Sequence, residues 1–223
     1  MAKKVSKKVT IVREHPLHVP VSEKNPTGVT IRDRHPRRLK GTYLDREEIE
    51  TVFKNYDRKN IIFPAKGKLP HPNCDSYDEL IAVWTDYFNT KFHAVPSLDP
   101  NVIKALIASE SGFREDPSEN KKAFGIAQIT PESFVALQNP KGEVKEFIFS
   151  DIRKKDLKEP NINIPMAIRW IFRKKRLAEG KLGREVTADE TILEYKGLLK
   201  SKTDEKKRAL KNFKENYDKL KSR

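Results

Sequence analysis

Residues 102–134 read VIKALIASESGFREDPSENKKAFGIAQITPESF, and this stretch decides the fold. It begins as a helix, because Asp99 offers an N-cap and Pro100 suits a first helical turn. Val102, Ile103, Leu106 and Ile107 then form an apolar stripe, and Glu110 continues it at i+4 from Leu106 and i+3 from Ile107. A carboxylate in line with a core stripe is unusual, since Glu is rarely buried without a partner. Two readings stand. Either the helix ends and Glu110 turns out to solvent, or its carboxyl is held at the edge of the core. In the second case poor solvation favours the neutral acid and suits the group to donate a proton near neutral pH. Phe113 and Phe124 are its candidate apolar neighbours.

Working outward, helical signals recur on both sides. Asp45-Arg-Glu-Glu48 reads as a capping box ahead of Ile49, Val52, Phe53 and Tyr56. Ser76 to Glu79 repeats that signature before Leu80, Val83, Trp84, Tyr87 and Phe88. Further helices are expected after Thr130-Pro131, at about 163–178, at about 188–199 after Thr187, and at 204–220. The last is amphipathic through Leu210, Phe213, Tyr217 and Leu220 and should dock on the body. Seven helices make a mainly α protein. Residues 1–44 differ, being Pro-rich, with an echo between VTIVREHP at 9–16 and VTIRDRHP at 29–36 that predicts two short strands, each ended by a proline.

Composition narrows the class. The chain has 223 residues and a formal charge of +14. Residues 1–44 carry 11 basic and 3 acidic residues, and residues 200–223 carry 10 and 4, so +8 and +6 account for all of it. The ends are basic arms for a polyanion, or they are solubilising termini. No helix-turn-helix pattern or aromatic-interleaved basic run accompanies the charge, so nucleic acid is not the expected partner. The single cysteine, Cys74, excludes an internal disulfide and a cysteine zinc cluster. His15 and His18 have HxxH spacing without a third ligand, and no metal or cofactor is expected. No apolar run approaches the ~20 residues of a membrane span. The start of the chain lacks an apolar signal segment, so export by the ordinary route is not expected.

Four blocks in order give the body of the chain a family likeness. Glu110-Ser111-Gly112-Phe113, then Gly125-Ile126-Ala127-Gln128, then LKEPNINIPMAIRWI at 157–171, then Tyr195-Lys196-Gly197 resemble the signature of the lytic transglycosylases, the soluble-type domain related to goose-type lysozyme. In the third block Asn163-Ile164 match, while Glu159 stands for Asp, Ala167 for Gly and Trp170 for Tyr. The likeness covers about 98–199, and residues 1–97 and 200–223 carry none. It implies a lysozyme-like helical domain at 98–199, while charge and helical periodicity outside it give a basic arm with short strands (1–44), a helical extension (45–97) and a closing basic helix (200–223).

The resemblance also implies a chemistry. The family cleaves the β-1,4 bond between N-acetylmuramic acid and N-acetylglucosamine in peptidoglycan without water. Glu110 would protonate the leaving oxygen and then deprotonate the muramoyl 6-hydroxyl, closing a 1,6-anhydro ring. Tyr195 would hydrogen-bond and orient Glu110, Ser111 and Gln128 would line the sugar cleft, and Phe113 and the Gly125 turn would shape it. Two departures matter. Glu119, beside Ser118, occupies a position where the family commonly has Ser. It is either a surface residue in a charged loop or a second carboxylate favouring water and a hydrolytic, muramidase outcome. Lys196 stands for Asn, which removes one substrate hydrogen bond but offers a cation for a peptide carboxylate. A binding module with a degenerate site is the remaining alternative. Such an enzyme without a signal implies a phage lysis or tail protein, a secreted effector with a neutralising immunity protein as partner, or release on cell lysis.

Overall fold

The computed structural model describes residues 9–12, 15–18, 20–23, 25–32, 35–38, 42–117 and 123–222. They belong to two compact units, Met1–Tyr43 and Leu44–Arg223. No helix among the described residues is long and apolar enough to cross a membrane.

In the first unit β1 (Val9–Val12) pairs antiparallel with β4 (His35–Arg38), and β2 (His15–His18) with β3 (Val29–Arg32). Val9 lies opposite Arg38, His18 opposite Val29, and Ser22 bridges Asn25, so the three pairings keep one hairpin register. The sequence led us to expect strands ending at the prolines; instead Pro16 and Pro36 lie within strands. A two-stranded ribbon has two open edges, where a residue without an N–H is tolerated. The register also explains the echo. Pro16 faces Ile31 and Pro36 faces Ile11, the arrangement produced when a repeat folds back on itself about a local two-fold. The side chain of His15 lies outside what is described.

The second unit is mainly helical, as the periodicity predicts. Its helices are α1 (Arg46–Asn55), α2 (Asp78–Phe92), α3 (Pro100–Glu110), α4 (Pro131–Gln138), α5 (Pro160–Leu182), α6 (Ala188–Tyr195) and α7 (Thr203–Lys221). The Asp45 carboxylate accepts from the Glu48 N–H at 2.8 Å, and Asp99 and Thr130 cap α3 and α4 in the same way. Ser76 is a different case. It sits in a 3-10 turn, Cys74–Tyr77, and α2 starts after it without a side-chain cap. α5 outruns its expected span at both ends, from Pro160 in its first turn to a left-handed Gly183 at its C-cap. α6 is shorter than expected, because Gly197 at φ +73° turns the chain away.

α5 is the central element, with Ile164, Ile168 and Ile171 fully buried, and it packs on α2 and α6. An aromatic group of Trp84, Tyr87, Phe88, Phe92, Phe147 and Phe172 fills the space between α2 and α5, with ring centroids 5.1–6.1 Å apart. α7 lays Leu210, Phe213 and Leu220 against α3, and the Tyr217 hydroxyl donates to Asp99 at 3.2 Å. The helix carrying Glu110 is thereby enclosed. Val102, Ile103, Lys104, Ala105, Leu106 and Ile107 are all buried, and a helix buried around its circumference is a rigid mount.

Candidate active site

α3 ends at Glu110, and the chain reverses sharply through Gly112 at φ +60° and Phe113 at φ +65°. The reversal leaves the Glu110 side chain 18% exposed at the edge of the core. It opens into a cleft of about 780 Å³ lined also by His71, Asn73, Tyr77, Arg114 and Glu115. Phe113 is buried beneath this cleft and stacks on Tyr77, with centroids 6.1 Å apart and planes 9° apart. The Tyr77 hydroxyl donates to Glu115 at 2.8 Å, and burial together with that carboxylate pushes the phenol up to about 12.

One wall of the cleft comes from the segment between α1 and α2, and a buried lysine fixes it to α3. Lys104 is 0% exposed, and its ammonium donates to the Ala65 carbonyl at 2.8 Å, to Asp75 at 2.6 Å and to Oδ2 of Asp78 at 2.9 Å, with Asp78 Oδ1 2.7 Å away as an ion-pair contact. Burial holds the Asp78 carboxyl above its ordinary range. At Asp75 burial acts in the same direction, but hydrogen bonds from Lys104 and the Gly67 N–H outweigh it and hold the carboxyl low. His71 and Tyr77 are thus tied to the helix that carries Glu110. The only sequence sign of this was a lysine inside an otherwise apolar run, and nothing local pointed to its acidic partners.

The four sequence blocks meet at a turn. Phe124 and Ile129 exchange backbone hydrogen bonds at 2.9 Å, closing a tight loop around Gly125-Ile126-Ala127-Gln128. Ser111 at the end of α3 donates to the Ile126 carbonyl at 2.6 Å. Asn163 of α5 accepts from the Ala127 N–H at 2.9 Å and donates to the carbonyls of Phe124 and Leu157 at 3.0 and 2.9 Å. Tyr195 of α6 donates to the Ala127 carbonyl at 3.0 Å. Three helices therefore grip one loop. A side chain at Gly125 would meet the Leu157 carbonyl at 1.9 Å and the Asn163 amide at 2.3 Å, and φ there is +69°. Gly125→Ala is expected to cost about 2–4 kcal/mol, from overpacking plus a left-handed backbone, read as a lowered denaturant midpoint.

This geometry redistributes the roles expected of the site residues. Tyr195 was expected to orient Glu110; its hydroxyl instead engages Ala127, and the residue holding Glu110 is its neighbour Lys196, whose ammonium donates to Oε1 of the carboxylate. Burial, with the Glu110 charge adding to it, pushes the Tyr195 phenol far up. Ser111 borders the cleft, but its hydroxyl points into the turn. Gln128, at φ +52°, donates its amide to the Gly125 carbonyl at 2.8 Å. Glu159, which stands at the family's Asp position, makes a two-pronged ion pair with Arg46 at 2.6 and 2.9 Å and so joins α1 to the start of α5. Glu119 and Ser118 lie outside the described residues. His71 and Tyr77 border the cleft without having been expected there, since no motif marked their segment.

Such an arrangement presents one carboxyl at the base of an open, partly aromatic groove, with a cation on it and a rigid loop behind it. It suits proton transfer to an extended, hydroxyl-rich ligand. No curated protein and no solved structure matches the chain. The model of one protein family, the transglycosylase SLT domain, matches residues 89–188, a span that includes Glu110, the Gly125 turn and Asn163 but leaves out Tyr195, Lys196 and the wall at 71–77. Residues 89–188 of this chain thus match the transglycosylase SLT domain, consistent with the soluble lytic transglycosylases of the lysozyme-like superfamily.

Proposed function

We propose that the protein is a peptidoglycan lytic transglycosylase, cutting between N-acetylmuramic acid and N-acetylglucosamine with Glu110 as its sole acid and base. The supporting observation is the placement of Glu110: on a rigid buried helix, in a cleft of about 780 Å³, within the matched SLT domain. In the first step the Glu110 carboxyl protonates the glycosidic oxygen as the bond from the muramoyl C1 breaks. In the second its carboxylate takes the proton of the 6-hydroxyl as O6 closes on C1. One group does both, because giving up the proton makes it the base. No second carboxylate is needed where the attacking hydroxyl is already on the sugar, unlike the paired-acid glycosidases.

The test is the mass of the products released from purified sacculi. Transglycosylation leaves anhydro ends one water lighter than reducing ends. Reducing ends would replace the assignment with a muramidase of the same fold. Binding to sacculi with neither product would leave a binding module.

The basic ribbon unit belongs to this reading as a wall-binding arm, drawn to the carboxylates and anionic polymers of the wall. Deleting 1–43 is expected to weaken sacculus binding severalfold at low salt, with a smaller loss at high salt. Cleavage of small soluble fragments should change little. Equal loss in both assays would make the arm part of the enzyme's fold. A phage-lysis or secreted-effector setting is part of this proposal, and a neutralising protein encoded beside the gene would mark the effector.

A further inference from the structure

Glu110 is held by a cation, and a carboxyl that must donate a proton cannot stay in that embrace. Lys196 donates to Oε1 of Glu110, the two side chains being 20% and 18% exposed. The neutral side chains nearby that could have aimed the carboxyl are engaged elsewhere. Ser109 donates to Leu106, Ser111 to Ile126, Tyr195 to Ala127 and Gln128 to Gly125. Electrostatics explains the pairing. Glu110 ends α3 and Lys196 caps α6, so both sit at the negative poles of helices. A cation there is favoured and an anion is disfavoured, unless the cation offsets it. Once the lysine leaves, no cation offsets the helix pole at the carboxyl.

The lysine is free to leave. Its backbone is fixed, with its N–H on the Ile192 carbonyl at 2.9 Å, but four methylenes carry the ammonium, and Glu110 is its one side-chain partner among the described residues. What draws it off must be an anion arriving with the ligand. Resting on the transglycosylase reading, we propose that Lys196 is a substrate-sensing positioning residue. Its ammonium exchanges the Glu110 carboxylate for a carboxylate of the peptide carried by the glycan, and so licenses Glu110 as an acid only when a peptide-bearing strand is bound. The protons balance. Glu110 takes a proton from water as Lys196 withdraws, gives it to the glycosidic oxygen as the C1–O4 bond breaks, and recovers one from the 6-hydroxyl as the O6–C1 bond forms. On product release Lys196 returns and that proton passes to water.

The experiment compares soluble peptidoglycan fragments bearing their native peptide carboxylates with the same fragments after those carboxylates are amidated. Wild-type full chain is expected to show kcat lower on the amidated fragments by roughly tenfold or more, the size of one charge-assisted hydrogen bond. Lys196→Asn should cleave both at similar kcat, with its KM for the native fragment raised, while Lys196→Arg keeps the preference. Equal wild-type rates on the two substrates overturn the proposal. So does a Lys196→Asn variant that retains the preference, or one that is folded by thermal melting yet cleaves neither. Wild-type protein that cleaves neither fragment overturns the transglycosylase reading itself, a result distinct from equal cleavage of both.

Discussion

Glu110→Gln is expected to lower muropeptide release from sacculi by roughly 10³-fold, the range lost with a general acid that also serves as the base. Glutamine keeps the shape and a hydrogen-bonding oxygen but has no transferable proton. The fold should survive. The variant loses a partly exposed ion pair to Lys196, worth at most about 1 kcal/mol, or a few degrees in Tm for a unit of this size. Release and thermal melting measured on the same preparation separate the two effects. Glu115 is the control, because among the described residues it is the other carboxylate bordering the cleft and it accepts from Tyr77. Glu115→Gln should leave most of the activity. If the Glu110 variant keeps activity within tenfold of wild type, the proton is coming from elsewhere.

Lys104→Met is the substitution with the largest expected effect on stability. Methionine fills much of the same volume, yet it leaves Asp75 and Asp78 facing each other with no cation between them and the Ala65 carbonyl without its donor. Removing one member of a buried charged group costs about 3–5 kcal/mol, and the quarter-exposed Asp75 side chain places this case near the lower end. That is a large share of the ~5–15 kcal/mol that holds a domain together. The loss should show as a lower denaturant midpoint. Adding Asp75→Asn and Asp78→Asn should recover much of it, since no ion is then left buried alone. No recovery would mean that the lysine matters as packing and not as charge. Cleavage should fall in the single variant even below its melting range, because His71 and Tyr77 lose their tie to the helix of Glu110.

The two substitutions differ in how far each residue could be foreseen. Glu110 was visible because helical periodicity is local: residues three and four apart share a face whatever else the chain does. The same regularity displayed the apolar stripe of α7 and the caps at Asp45, Asp99 and Thr130, each a contact between near neighbours in sequence. Ser111, Gln128, Asn163 and Tyr195 were visible as members of a pattern, but their tasks were not. Read as sugar contacts or as an orienting group, Ser111, Gln128 and Tyr195 hold one loop by its carbonyls together with Asn163, and which oxygen a hydroxyl reaches depends on elements 15 to 68 residues away.

The chain by itself determined that its body is helical, that Glu110 continues the apolar stripe of a helix, and that the surplus charge belongs to the two ends. These follow from spacing and composition, which are properties of neighbours. Only the tertiary structure decided that Lys196 rather than Tyr195 holds the carboxylate, that a buried Lys104 ties a second wall to α3, and that the N-terminal echo folds back on itself as one ribbon. Each depends on which distant groups meet. A charge or hydroxyl withdrawn from water takes whichever complementary partner the packing brings within reach, and short-range sequence pattern carries no record of that choice.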